Sequence, residues 1–257
     1  MHSRIAFAAM VVACGCSRAP VDRAEWPVMG TVAAVQTRGA AAGAAAEAVR
    51  PVFAEIERLM NAHDAGSELG RLAPLADGDV LGRCSPVARP CYEAAFRMRD
   101  ETGGAFDPRW RGAGTMDLGA IAKGYAVDLA AERLGRAAVD TLVDLGGNLK
   151  AVRGDWKVGI RTSAGGEPSE SFVLREGEAC ATSAEYYRGS HIRDGRTKGA
   201  PASGVRCVTV VHPSSAMLAD ALSTTMFILG RERGGRFLSE RYPEARAIWY
   251  TGRHNED

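Results

Sequence analysis

Residues 117–124 read Asp-Leu-Gly-Ala-Ile-Ala-Lys-Gly, and residues 141–148 read Thr-Leu-Val-Asp-Leu-Gly-Gly-Asn. The first stretch predicts a glycine turn opening a helix from about Gly119 to Leu134. Gly135 is its stop signal, and Leu118, Ala122, Tyr125 and Leu129 form its inward face. The second predicts a strand over 141–145, a tight turn at Gly146-Gly147-Asn148 and a return strand over 149–153. Upstream, β-branched residues predict a strand over 28–37, and an alanine-rich run predicts a helix over 40–62 that Pro51 kinks or restarts. Residues 63–75 read as a polar loop with a short helical piece, and Pro86–Thr102 as a helix closed by Gly103-Gly104. Downstream come strands at 156–161, 172–175 and 206–212, then a helix over 215–229 stopped by Gly230, a short helix and a last strand at 247–250. Strands and helices mix without strict βαβ alternation. That predicts an α+β fold, one domain of mixed, largely antiparallel sheets packed with helices.

The chain has 257 residues, 46% apolar and 25% charged, enough to bury a proper core. Lys plus Arg (32) nearly balances Asp plus Glu (31), which argues against nucleic acid as a partner because no broad basic field exists.

Residues 1–16 predict a targeting segment ahead of a domain over 17–257. A weakly positive start is followed by a short apolar core over 5–13 and then Cys14-Gly15-Cys16-Ser17. The apolar run is too short to span a membrane. A cysteine after small residues resembles a bacterial lipoprotein signal, with Cys14 or Cys16 as the lipidated residue. Four further cysteines remain. Cys84 and Cys91 could close a small loop, Cys180 and Cys207 could pair if their strands are neighbours, and no CxxC spacing suggests zinc.

Two fragments carry the chemistry. In the first, Asp117 precedes a turn, and Lys123 follows between Gly119 and Gly124, which permit close backbone approach. A helix N-terminus with a lysine attracts phosphate. Alone, these residues would read as a helix cap and a solvated lysine. In the second fragment, Ala219-Asp-Ala-Leu-Ser-Thr-Thr225, Asp220 and Thr224 lie four apart on one helical face of an otherwise apolar or small-residue helix. A carboxylate there needs solvent or a partner, and oxygen donors of this kind suit Mg²⁺. Together the fragments suggest a metal-assisted site for a phosphate ester.

Other pieces fall in a shared order: Met29-Gly-Thr31, Ser67-Glu-Leu69, Gly104-Ala-Phe-Asp-Pro108, Asp117 through Asp128, Leu145-Gly-Gly-Asn148, Ala181-Thr-Ser183, His191-Ile192 and the 219–225 fragment. From about residue 28 to residue 230 the chain resembles the FAD:protein FMN transferase (ApbE-type) family. The resemblance implies Mg²⁺-dependent cleavage of FAD, with FMN passed to a Thr or Ser hydroxyl of an acceptor protein and AMP released. It implies that Met29, His63, Phe106, Asp107, Pro108, Asp117, Lys123 and Ile192 line the FAD site. Ala120, through its carbonyl, would hold Mg²⁺ with Asp220 and Thr224, and His191 would be the base. The implied partner is a flavin-acceptor protein such as a membrane redox-pump subunit. The implied place is the periplasmic side of the inner membrane, lipid-anchored. An FAD pyrophosphatase and a non-catalytic FAD-binding lipoprotein are the alternatives.

Four departures from the family pattern stand out, one of them the short chain overall. His63 occupies a position where tyrosine is common. Only residues 109–116 separate Pro108 from Asp117, which predicts a shallower or more open cofactor pocket. The loop His191-Ile-Arg-Asp-Gly-Arg-Thr-Lys-Gly199 carries Gly195 in place of the family's proline, which predicts a more flexible loop.

Overall fold

A computed structural model describes residues 20–135, 137, 139–160, 170–184 and 192–250. The expected signal segment with Cys14 and Cys16, and the candidate base His191, lie outside them. Nine strands and six helices are described: β1 (Val21–Val28), β2 (Thr31–Arg38), α1 (Ala42–Met60), α2 (Glu68–Leu72), α3 (Asp77–Arg83), α4 (Arg89–Glu101), α5 (Ala122–Leu134), β3 (Thr141–Leu145), β4 (Asn148–Arg153), β5 (Trp156–Ile160), β6 (Glu170–Leu174), β7 (Ala179–Ala184), β8 (Cys207–His212), α6 (Ala216–Arg241) and β9 (Arg246–Tyr250).

Seven strands form one sheet in the order β1-β2-β3-β4-β7-β8-β9, and β5 pairs with β6 in a second. Every pairing is antiparallel. The α+β expectation of largely antiparallel sheets packed with helices holds.

The central strands β3 and β8 are buried on both faces, with Asp144, Thr209 and His212 as buried polar residues among apolar ones. Val143, Leu145, Val208 and Val210 face a core shared with Phe53 and Ile56 of α1, Tyr92 of α4, Ala126 of α5 and Leu222 of α6. Their alternates Leu142 and Val211 face the opposite side, where Trp156 and Leu174 of the β5–β6 hairpin cover the sheet. Trp156 is fully buried and donates its indole N–H to the Arg153 carbonyl at 3.0 Å, so this large ring leaves no polar atom unpaired.

Several local expectations need correction. The predicted strand over 28–37 is interrupted: Met29 and Gly30, both at positive φ (51° and 66°), make a two-residue turn between β1 and β2. Helix α1 runs on through Pro51. Pro51 is exposed, and so is Glu47, whose carbonyl loses its helical donor. Helix α5 begins at Ala122, one turn later than Gly119. Gly230 (φ 80°, ψ 171°) does break α6, as read from sequence. The four described cysteines are free thiols. β7 and β8 are neighbours, but their register sets Cys180 opposite Val211 and Cys207 opposite Ala184, too far apart for a disulfide. No helix among the described residues is long and apolar enough to cross a membrane.

Candidate active site

The site forms where the α5 N-terminus meets the first half of α6. One residue fixes that crossing. Asp128 of α5 accepts hydrogen bonds from Ser215 Oγ (2.8 Å), Ala216 N–H (2.9 Å) and Met217 N–H (3.0 Å), and from Lys150 Nζ of β4 (2.7 Å). It therefore satisfies donors at the start of α6 that have no helical partner. Ser215 completes the cap by accepting from Leu218 N–H at 3.1 Å.

One helical turn further along α6, Asp220 is 5% exposed. Its Oδ2 accepts the Gly124 N–H at 3.0 Å and lies 3.3 Å from Lys123 Nζ, which also donates to the Gly119 carbonyl at 2.6 Å. A buried carboxylate paired in this way avoids most of its desolvation cost. Gly124 is required here: a Cβ would fall well inside contact distance of the Ala216 carbonyl oxygen, 2.6 Å from its carbon and 2.8 Å from Asp220 Cβ. The turn at 117–123 and the carboxylate at 220, 97 residues apart in the case of Lys123, thus converge.

The oxygen donors suit a hard cation. Because Gly124 N–H points to Asp220, it does not close the bond back to the Ala120 carbonyl. No described residue donates to that carbonyl. Thr224 is on the same face of α6 as Asp220, and its Oγ1 is 3.3 Å from Ser183 Oγ of β7, which is also 2.9 Å from Ser223 Oγ. A carbonyl, a carboxylate and a hydroxyl fit Mg²⁺ better than a soft metal. No cluster of three or more His, Cys, Asp or Glu competes as a metal site among the described residues. Burial, with the Asp220 charge second, pushes the Cys91 thiol far above the usual thiol range, which makes it inert as a nucleophile.

The proposed flavin-lining residues divide into two groups. Phe106 and Pro108 are buried and Asp107 half-buried. The Pro108 carbonyl accepts Asp117 N–H at 2.8 Å, tying this turn to the start of α5. Asp117 Oδ1 accepts the Gly119 N–H at 2.9 Å, and its Oδ2 is 3.2 Å from Arg111. Ile192 packs against the main core. Met29, at the β1–β2 turn, donates its N–H to Glu57 of α1 at 2.7 Å. The adjoining Thr31 packs under Gly146, where a Cβ would lie 2.6 Å from Thr31 Oγ1, so the two hairpin turns share one sheet end. His63 is exposed in the α1–α2 loop, where its N–H donates to Asn61 Oδ1 at 2.9 Å.

The loop after His191 is seated, contrary to the flexible loop expected from Gly195. Gly195 N–H donates to the Ala105 carbonyl at 3.0 Å, and a Cβ at 195 would collide with Asp107 Cβ and the Gly104 carbonyl oxygen. A proline there would remove the donor and clash. Asp194 and Arg196 form a bidentate pair in the same loop (2.8 and 2.5 Å), which holds the Asp194 carboxyl below its usual range.

Sequence reasoning missed the roles of Glu57, Asp128, Ser183 and Arg111. Asp128 was visible as the end of the 117–128 fragment, but its partners on α6 lie 87 to 89 residues away. Glu57 gave no sequence signal.

The ApbE family model matches residues 111–249, more than half of the chain. An FAD:protein FMN transferase of Treponema pallidum is 33% identical over 157 residues, covering 52% of this chain and 43% of that protein. The one of Rhodobacter capsulatus is 37% identical over 139 residues, covering 49% and 26%. The matched part spans less than half the length of these curated relatives. Among solved structures, the flavin transferase ApbE of Vibrio cholerae superposes with a TM-score of 0.72 at 21% identity, covering 90% of this chain and 94% of that one. The apo flavinyl transferase ApbE of Pseudomonas stutzeri gives 0.73 at 21%, covering 94% of each. At those identities the likeness concerns the fold. The family match covers the α5 turn and the α6 carboxylate, and the chain belongs to the ApbE family.

Proposed function

We propose that this protein is an FAD:protein FMN transferase. It would bind FAD, pass the FMN moiety to a Thr or Ser hydroxyl of an acceptor protein, and release AMP. The observation that carries this reading is the convergence of Lys123 and the Gly124 N–H on Asp220. In this reading Ala120, Asp220 and Thr224 hold Mg²⁺, which when bound neutralises the pyrophosphate and favours departure of AMP. Lys123 and the α5 N-terminus face the same phosphates. Met29, His63, Phe106, Asp107, Pro108, Asp117 and Ile192 position the flavin dinucleotide. His191 takes the proton from the acceptor hydroxyl, whose oxygen bonds to the flavin-side phosphorus as the bond to the bridging oxygen breaks. A site with a single carboxylate binds Mg²⁺ weakly by itself, so phosphate oxygens complete the set.

The leader over 1–16 places the protein, in this reading, as a lipoprotein on the periplasmic face of the inner membrane. Its acceptors there would be flavin-carrying proteins such as redox-pump subunits. The test mixes the mature protein with FAD, Mg²⁺ and a flavin-acceptor domain. Flavin fluorescence on the acceptor in a denaturing gel supports transfer. Free FMN and AMP without labelled acceptor would replace this reading with a pyrophosphatase, and unchanged FAD with a carrier.

A further inference from the structure

The short segment between Pro108 and Asp117 forms a braced platform. Its ends are joined by the Asp117 N–H to Pro108 carbonyl bond (2.8 Å). Inside it, Trp110 N–H donates to the Asp107 carbonyl (3.2 Å) and Gly112 N–H to the Arg109 carbonyl (2.8 Å). Arg109 bolts it to the α2–α3 region through Asp77 (2.9 Å) and the carbonyls of Ala73 and Leu75 (2.7 Å each). The next arginine is used differently. Arg111 lies with its guanidinium 4.9 Å from the Trp110 ring centre and 3.2 Å from Asp117 Oδ2, yet 44% of its side-chain surface remains in water. A planar cation sits over an indole at the lip of the turn that opens α5. Among the described residues, Asp117 is the one carboxylate that this guanidinium meets. A stacked guanidinium gives up little freedom when it binds a phosphate, and its fork matches phosphate oxygens.

We propose that Arg111 is a substrate-binding residue for the dianionic pyrophosphate of the dinucleotide, a second cation beside Lys123, with Trp110 as the platform that orients it. This rests on the flavin-dinucleotide reading of the site, and it assigns to residues 109–116 the wall that the shortened segment was expected to lack. The alternative is that Arg111 merely clasps Asp117 to hold the loop.

Calorimetric titration of the mature protein with FAD, ADP and riboflavin separates these roles. Arg111→Met should weaken FAD and ADP about tenfold, the loss of roughly one charge-assisted hydrogen bond. It should also flatten the salt dependence of both and leave riboflavin, which has no phosphate, unchanged. Arg111→Lys should recover part of the loss. Trp110→Ala should weaken FAD and ADP by a smaller factor. Equal weakening of all three ligands, or no weakening of FAD and ADP, overturns the proposal. Wild-type protein that binds ADP through Arg111 but not FAD would sink the flavin reading while sustaining the pyrophosphate contact. Thermal unfolding without ligand checks that each variant folds; if Arg111→Met does not, the Lys and Ala variants decide.

Discussion

Replacing Gly124 with alanine tests the crossing on which the site depends. Gly124 is the third residue of α5, and its N–H holds Asp220 Oδ2 at 3.0 Å. An added Cβ would sit 2.6 Å from the Ala216 carbonyl carbon and 2.8 Å from Asp220 Cβ. With ordinary contacts at about 3.5 Å, α5 and α6 must part by roughly 1 Å. Forced overpacking of this kind costs about 1–3 kcal/mol. Stretching the charge-assisted hydrogen bond adds about 1.5–3 kcal/mol. Alanine's better helix propensity returns at most about 1 kcal/mol. The expected net loss is about 2–5 kcal/mol of folding stability. The control is Gly43→Ala in α1, where a Cβ meets nothing within 4 Å and the same propensity term acts alone, giving a gain of up to about 1 kcal/mol. Urea unfolding monitored by circular dichroism reads both. Mn²⁺ titration by electron paramagnetic resonance should also show weakened binding in Gly124→Ala, because Asp220 moves with the helix. A Gly124→Ala protein as stable as wild type and with unchanged Mn²⁺ affinity would refute the close approach as the constraint that builds the site.

Asp220→Ala should abolish both turnover and the stabilisation of FAD-bound protein by Mg²⁺ in a thermal-shift assay; wild-type turnover would reject Asp220 as a ligand. His191→Ala should lower transfer by about 10²–10⁴-fold while leaving FAD affinity within a few-fold, measured by acceptor flavinylation and flavin titration. Gly195→Pro should cost about 1–3 kcal/mol, since it removes the bond to Ala105 and collides with Asp107, and unfolding at wild-type denaturant would contradict the seated loop. Asp144 is buried and forms no ion pair among the described residues, and burial pushes its carboxyl up to about 7. Below the ordinary carboxylate range both folded and unfolded chains carry its proton. As pH rises toward 7 the unfolded chain releases that proton first and native stability falls. Asp144→Asn keeps an acceptor for the Gly147 N–H. Its stability advantage should therefore grow between about pH 4 and 7, by at most about 4 kcal/mol, and then level off. A pH-independent difference would contradict the buried ionisation.

What the sequence disclosed follows the range of the forces involved. Helix α5, the β3–β4 hairpin and the break at Gly230 were legible because apolar period and glycine punctuation act within a few residues. Strand β7, Ala179–Ala184, was missed, since its small residues have weak strand propensity. It is a strand because β4 and β8 flank it. The Met29 turn was missed for the same kind of reason: methionine at φ 51° is a poor turn former, and the Met29 N–H is held by Glu57, 28 residues away. In the site, the Asp220–Thr224 spacing and the glycines around Lys123 were visible as local patterns. Their meeting was not, because it depends on Asp128 capping a helix that begins 88 residues later. Gly195 is the sharpest case. Read alone, a glycine in place of proline loosens a loop through backbone entropy. In the fold the same glycine is the residue that lets the loop dock against Ala105 and Asp107, so the tertiary contact reverses the sign that the local rule assigns. The shortened 109–116 segment is tolerated on the same ground, because Arg109 braces it to α3 through Asp77.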